Sequence, residues 1–419
     1  MEGSFVLCGA YVMEEDGGFS DPRDVLVEDG IIRAITAGGS LPRDAVRYDC
    51  RGLWLMPGVF DCHAHVGMST DDAWENHNTS YSLRVLQTAG NLRTMLHSGV
   101  TFVRDAGGAD AGVRAALAQG EIEGPELQVS VNLLCQTGGH MDGYLQGADV
   151  SASTEGFMPP APGRPPFLVD GPEEMRRAVR QVIRAGADWV KLCTTGGIFS
   201  GTDGALAPQL SPEELSVAVW EARKAGKPVM VHAVGGEGVT WALEAGVRSL
   251  EHGVFMTEEQ VALMARKGTY LVPTLTVYQH LAALAAAPDS PLPPPLVRSG
   301  KKLAAQLGQS VRMAHEAGVP IALGIDSASR GTHGHSLEEI YWLRQAGLTP
   351  EQALLSATKR GAELCGCADT LGALAPGFQF DALLLDRDPL HSEVFLEADA
   401  VGGVFQRGRV VRRHPQLSL

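Results

Sequence analysis

His63 and His65 close the stretch Gly58-Val59-Phe60-Asp61-Cys62-His63-Ala64-His65. Residues two apart on a strand face the same side, so these imidazoles can grip one metal ion. Pro57-Gly58 marks a sharp entry and Val59-Phe60 open an apolar run, which places the pair where a buried strand ends. Two turn or surface histidines are the plainer alternative. Other apolar runs carry further polar groups: Lys191 lies in 189–194, His232 ends 228–232, His252 ends 249–252 and Asp326 ends 321–326. Each alone has an ordinary explanation, such as a hydrogen-bonded histidine or a helix-capping aspartate. All six at strand ends form the pattern of a metal site.

Lys191 poses a charge problem, because an ammonium cannot ligate a cation and is costly to bury. Addition of CO2 to the neutral amine gives a carbamate whose two oxygens bridge two ions as a glutamate would. This reading puts His63, His65 and Asp326 on one divalent ion, His232 and His252 on the other, and Lys191 between. Asp61 shares the parity of the histidine pair one pleat deeper and is a candidate for orienting a ligand. Glu251 has the opposite parity to His252 and is expected to point away from the site. His77, His97, His333 and His335 read as solvated residues, with support of a ligand as the alternative for the last two.

The elements that carry these groups alternate. Apolar runs at 58–65, 100–105, 127–132, 189–194, 228–232, 249–252, 269–273 and 321–326 are separated by amphipathic helical stretches such as 173–185, 212–225 and 303–317. That alternation marks βα units and a parallel sheet. Eight units within 57–365 suit a (β/α)8 TIM barrel, whose chemistry gathers at the C-terminal strand ends. Strand-like segments at 5–13, 24–28 and 31–37 return at 381–385 and 403–411. Residues 1–56 and 366–419 are therefore expected to pair into a small β-sandwich domain. The expected class is α/β, a barrel with that small domain attached. Segments 158–166 and 200–204 read as excursions near the mouth, and 288–295 as a connector.

The 419 residues, 44% hydrophobic, suffice for one large core and a smaller unit. Thirty-four basic against 49 acidic residues give a net charge of −15, which argues against nucleic acid or an anionic membrane as partner and for small-molecule substrates. No apolar run reaches membrane-spanning length, and Met1-Glu2-Gly3-Ser4 lacks a leader pattern, so a cytoplasmic protein is expected. The seven cysteines show no Cys-x-x-Cys spacing and read as reduced thiols.

His63-Ala64-His65, Lys191-Leu192-Cys193-Thr194-Thr195-Gly196-Gly197, Val231-His232-Ala233, Leu250-Glu251-His252-Gly253 and Gly324-Ile325-Asp326 together resemble the amidohydrolase superfamily over nearly the whole chain. Thr137-Gly138-Gly139-His140 and Pro273-Thr274-Leu275 are similar to active-site loops of the branch with metal-dependent Xaa-Pro dipeptidases (prolidases), arginine carboxypeptidases and imidazolonepropionase-like proteins. The resemblance implies a binuclear hydrolase of amide or peptide C–N bonds, with two divalent ions, zinc as the expected metal, and a homo-oligomeric assembly. It implies a metal-activated hydroxide as nucleophile, His140 as a second donor to the substrate carbonyl, and Asp326 as base and then acid. Many dipeptidase-like relatives carry a tyrosine two residues beyond the fifth-strand histidine, where this chain has Val234. Recognition of a substrate carboxylate then falls to other groups, with Tyr278 and Arg330 as candidates. A carbamate, urea, N-acyl amide or lactone substrate stays open. So do a one-metal ring hydrolase with unmodified Lys191 and a catalytically silent binding scaffold, although every ligand is present.

Overall fold

The computed structural model describes residues 3–37, 41–42, 45–70, 72–147, 149–151, 161–198, 204–397 and 399–417. Both ends of the chain contribute to one eight-stranded sheet. Its path runs Arg409–Arg412, Gly403–Gln406, Ala382–Leu385, Trp54–Pro57, Phe5–Val12, Arg23–Glu28, Ile31–Thr36, and Val46–Asp49 pairs with Phe5–Val12 beside this path. The expected joining of the termini occurs in the antiparallel ladder Ala382↔Pro57 to Leu385↔Trp54. Phe5 packs against Phe380 and Phe405 with ring centroids 5.8 and 6.3 Å away, and Leu7, Val25, Leu55 and Leu384 complete that core.

Between these ends, parallel strands alternate with helices. One sheet holds Val59–Ala64, Val100–Asp105 and Glu126–Val129; another holds Leu133–Leu134, Val190–Cys193, Val229–Gly235, Ser249–Phe255 and Tyr270–Val272. The expected third strand, 127–132, is broken where Val131 takes a φ of 66°, so Glu126–Val129 belongs to one sheet and Leu133–Leu134 to the other. The expected eighth strand, 321–326, is extended chain held by isolated bridges. It joins the two sheets through Leu271 N→Pro320 O, Ala322 N→Leu271 O, Cys62 N→Leu323 O and Asp326 N→His63 O. Its regularity ends because Asp326 takes a left-handed φ of 59°. Gly324 is required beside it, since a Cβ there would lie 2.7 Å from the His63 nitrogen.

The helices obey their sequence signals. Pro172–Arg184 buries Met175, Ala178, Val179 and Val182, the three-and-four spacing of one helix face. Pro212–Lys224 starts with a reciprocal Ser211–Glu214 capping box, a feature worth about 1 kcal/mol. The stretch expected as one helix over 303–317 is two, Pro294–Ala304 and Gln309–Glu316, because Gly308 turns the chain at a φ of 82°. Among the described residues no helix is long and apolar enough to cross a membrane.

Candidate metal centre

Val59–Ala64 is buried along its length, and His63 and His65 at its end are 1% and 8% exposed. Both Nε2 atoms point at Asp326, with Oδ1 3.4 Å from His63 and 3.2 Å from His65. His252 lies beside them: its ring centroid is 5.0 Å from that of His63 and 4.6 Å from that of His232. Lys191 reaches the same place from Val190–Cys193 and is 1% exposed. Its charge acts on His63, His232, His252 and Asp326 alike, yet its Nζ has no hydrogen-bond partner. The structure thus brings all six expected ligands together. The tightest grouping crosses the expected division, because ligand atoms of His63, His252 and Asp326 lie within 4.8 Å of one another.

Each imidazole has one nitrogen committed away from the centre. His63 Nδ1 meets Glu251 Oε2 at 2.9 Å, His65 Nδ1 meets the Gly107 carbonyl at 2.8 Å, and His252 Nδ1 meets Thr274 Oγ1 at 2.7 Å. His232 uses its other nitrogen, Nε2, 3.0 Å from the Gly196 carbonyl. The carboxylate and carbonyl partners only accept, so His63, His65 and His232 donate outward and leave the other nitrogen's lone pair facing inward, as a ligand requires, and the Thr274 hydroxyl, which can donate or accept, lets His252 do the same. Four such nitrogens, a carboxylate and a buried unpaired amine fit divalent ions of the zinc type.

Backbone strain aims these groups. His252, Thr274 and Asp326 have φ of 75°, 50° and 59°, conformations that cost a non-glycine residue about 1–3 kcal/mol each and collect at functional sites. The left-handed turn at His252 ends the alternation of its strand. Glu251 therefore does not point away as expected; it is fully buried and bonded to His63. Thr274 precedes the helix Leu275–Ala286, whose first backbone N–H groups, on Leu275 and Thr276, donate to the buried Glu339 at 2.7 Å each.

Burial dominates the protonation states. It lowers His63, His232 and His252 well below the usual imidazole range. Burial also pulls on His65, but hydrogen bonding and charge attraction from Asp326 outweigh it and raise that group. Burial would raise Asp326, yet the charges of His63 and His65 and the His65 hydrogen bond hold its carboxyl below normal. Desolvation lowers Lys191 toward the neutral amine. Metal binding needs deprotonated ligands, which this environment favours at His63, His232, His252, Lys191 and Asp326, whereas an ion would have to displace the proton that Asp326 favours on His65.

His140 stacks on His232 at 3.9 Å and 14°, and burial takes it down to about 4. Tyr278, 3% exposed, turns its ring edge to His252 at 5.7 Å and packs with Val234, Ile198 and Val254. Arg330 does not join the cluster; it is exposed and lines a surface hollow with Leu83 and Leu86 of the helix Tyr81–His97. Asp61 accepts hydrogen bonds from the His63 backbone and from Ser336 Oγ, and so holds the strand rather than the ring. His333 is not solvated as expected: it is fully buried, with Nε2 on the Met68 carbonyl and Nδ1 on Ser327 Oγ. His97 and His335 are surface groups paired with Glu123 and Glu338. Of the mouth excursions, 158–160 and 200–203 lie outside the described residues.

From the sequence, Arg104 goes unnoticed, Glu251 is turned the wrong way and Thr274 is named only within the loop Pro273-Thr274-Leu275. Arg104 had a visible signal, a cation inside the apolar strand Val100–Asp105. Glu251 and Thr274 lie in motifs that fix their position but not their orientation, which follows from the positive φ of His252 and of Thr274 itself.

The model of the amidohydrolase family matches residues 54–411. The chain belongs to that family. An ochratoxinase from Aspergillus niger is 33% identical over 405 residues, covering 93% of this chain and 82% of that protein. A crystal structure of a prolidase complexed with N-methylphosphonate-L-proline superposes with a TM-score of 0.89 at 33% identity, covering 98% of this chain and 100% of that one. An imidazolonepropionase from Mycolicibacterium smegmatis is 26% identical over 403 residues, 92% of this chain and 90% of that protein. This amidohydrolase is an enzyme that hydrolyses C–N bonds.

Proposed function

We propose that this amidohydrolase cleaves amide or peptide bonds of small molecules at a two-ion centre, most like an Xaa-Pro dipeptidase. The observation that carries the reading is the Lys191 amine, buried and without a partner among four imidazoles and a carboxylate. CO2 would add to that neutral amine with loss of a proton, and the resulting carbamate would turn an orphaned group into a metal ligand. His63, His65 and Asp326 would hold one ion and His232 and His252 the other, with zinc suited to the nitrogen-rich set. When bound, the ions supply Lewis acidity and an activated water at neutral pH.

The chain's own groups do the rest. Asp326 stays ionised, so it can take a proton during attack and return it to the leaving nitrogen. His140, neutral, offers an N–H to the substrate carbonyl oxygen. Tyr278 presents its hydroxyl to the substrate beside the apolar wall of Val234, Ile198 and Val254. Arg330 lies outside the clustered groups, so its candidate substrate contact is supported only by its place just after Asp326. The proposed architecture is a closed (β/α)8 barrel over 57–365 carrying a β-sandwich from 1–56 and 366–419. Support comes from the hydrogen bonds of 320–326 to both sheets.

One observation favours a second reading, a one-ion ring hydrolase with unmodified Lys191. Among the described residues His63, His252 and Asp326 are the group of three whose ligand atoms all lie within 4.8 Å of one another, and one relative is an imidazolonepropionase. A screen of Xaa-Pro and Xaa-Arg dipeptides, N-acyl amino acids, aryl ureas, carbamates and lactones, with zinc and bicarbonate supplied, tests the proposal. Turnover of amides that is lost in Asp326→Asn and Lys191→Ala is expected. Activity that survives both substitutions rejects the assigned roles.

A further inference from the structure

Beneath the metal centre a buried ion pair crosses the interior and ends on a ligand. Arg104 and Glu251 are both fully buried. Arg104 Nη2 donates to both Glu251 oxygens at 2.9 Å, its Nη1 donates to Ser249 Oγ at 2.8 Å, and its Nε donates to the Cys62 carbonyl at 2.6 Å. Ser249 Oγ in turn donates to Glu251 Oε1 at 2.5 Å. The guanidinium lies 4.6 Å from the Trp189 ring centroid. Oε2 of Glu251, already held by Arg104, is also 2.9 Å from His63 Nδ1.

We infer that Glu251 is a positioning residue for His63, and that Arg104 and Ser249 lock Glu251 in place for that task. A carboxylate accepts and cannot donate, so His63 carries its proton on Nδ1 and presents the Nε2 lone pair toward Asp326. The second interaction of a metal-ligating imidazole fixes its tautomer and ring angle and raises its basicity. A buried charge pair is weak evidence of fold stability, because apolar side chains of equal volume commonly replace one at no cost. A pair with a purely structural task has no reason to terminate on an imidazole nitrogen. Among the described residues the carboxylate's hydrogen bond outside the Arg104–Ser249 clamp goes to a ligand, and Arg104 anchors it to the carbonyl of the residue just before that ligand. The inference rests on the proposed function only in taking His63 as a ligand.

The test is zinc affinity of metal-stripped protein, titrated with zinc alone against a chelator, alongside the melting temperature of the same stripped samples. Two variants are compared with wild type: Glu251→Gln, and Arg104→Met combined with Glu251→Leu, which removes both charges at similar volume. Both are expected to bind zinc about 10–100-fold more weakly. The double variant is expected to do so while melting within a few degrees of wild type. With cobalt in place of zinc, the visible absorption of both variants is expected to shift, reporting a changed ligand field. Wild-type zinc affinity in a folded double variant overturns the inference. So does an affinity loss in Glu251→Gln that the folded double variant fails to reproduce, since the loss then follows the unpaired arginine. Wild-type protein that takes up no zinc at all sinks the proposed function instead.

Discussion

Lys191→Met separates a bridging ligand from an ordinary buried lysine by the sign of its effect. The Nζ is buried and unpartnered, and an unsatisfied buried polar group costs about 1–3 kcal/mol. Methionine fills nearly the same volume without that group, so in metal-stripped protein the substitution should stabilise by about that amount. With an unfolding entropy of roughly 2.1 cal/mol/K per residue, a chain of 419 residues changes by about 0.9 kcal/mol per degree at its melting point. The expected rise is therefore about 1–3 °C. Zinc and bicarbonate reverse the order. Ligand at one hundred times its Kd stabilises the native state by about 2.7 kcal/mol, near 3 °C here, and the variant forfeits most of it. Calorimetric melts with chelator, and with zinc plus bicarbonate, read both halves. A variant that melts several degrees below wild type when stripped, or that gains as much from zinc and bicarbonate, refutes the reasoning.

Asp381 reports on the joint between the terminal sheet and the central strands. Burial pushes its carboxyl up to about 7, its Oδ2 has no partner, and its Oδ1 accepts from the Arg407 backbone at 2.7 Å. The folded state keeps a proton that the unfolded chain releases near 3.8. That contribution is complete below the unfolded value and drains away as pH rises through about 7, by at most about 4 kcal/mol. Asp381→Asn is expected to flatten the stability–pH slope between about 4 and 7; melts across that range check it, and an unchanged slope counts against it. Gly324→Ala sets a Cβ 2.7 Å from the His63 nitrogen, so it should cost about 1–3 kcal/mol and weaken zinc uptake, read by melts and metal analysis. Arg330→Ala, at an exposed position outside the cluster, should leave kcat and KM within about twofold of wild type, which steady-state kinetics decide.

The clustered residues were legible because each interrupts an apolar run at or near a strand end, and strand periodicity survives without coordinates. His63, His65, Lys191, His232, His252 and Asp326 all converge for that reason. What periodicity could not supply is the backbone at the strand ends. With His252 at a φ of 75°, neighbouring residues of opposite parity both reach the interior, and Glu251 was misplaced. His333 looked like a loop residue among glycines, but its two nitrogens meet the Met68 carbonyl and Ser327 Oγ across long sequence distances. Val131 and Gly308 divided elements that hydropathy joins, because a positive φ leaves no trace in apolar spacing. The pairing of the two termini was legible from the short strand-like runs that both ends carry, which need a partner sheet.

Diffraction from crystals grown with zinc and bicarbonate, recorded above and below the zinc absorption edge, tests the two-ion centre most directly. Two anomalous peaks are expected, one among His63, His65 and Asp326 and one between His232 and His252, with added density on Lys191 Nζ reaching both. A single peak beside an unmodified lysine, or none, contradicts it.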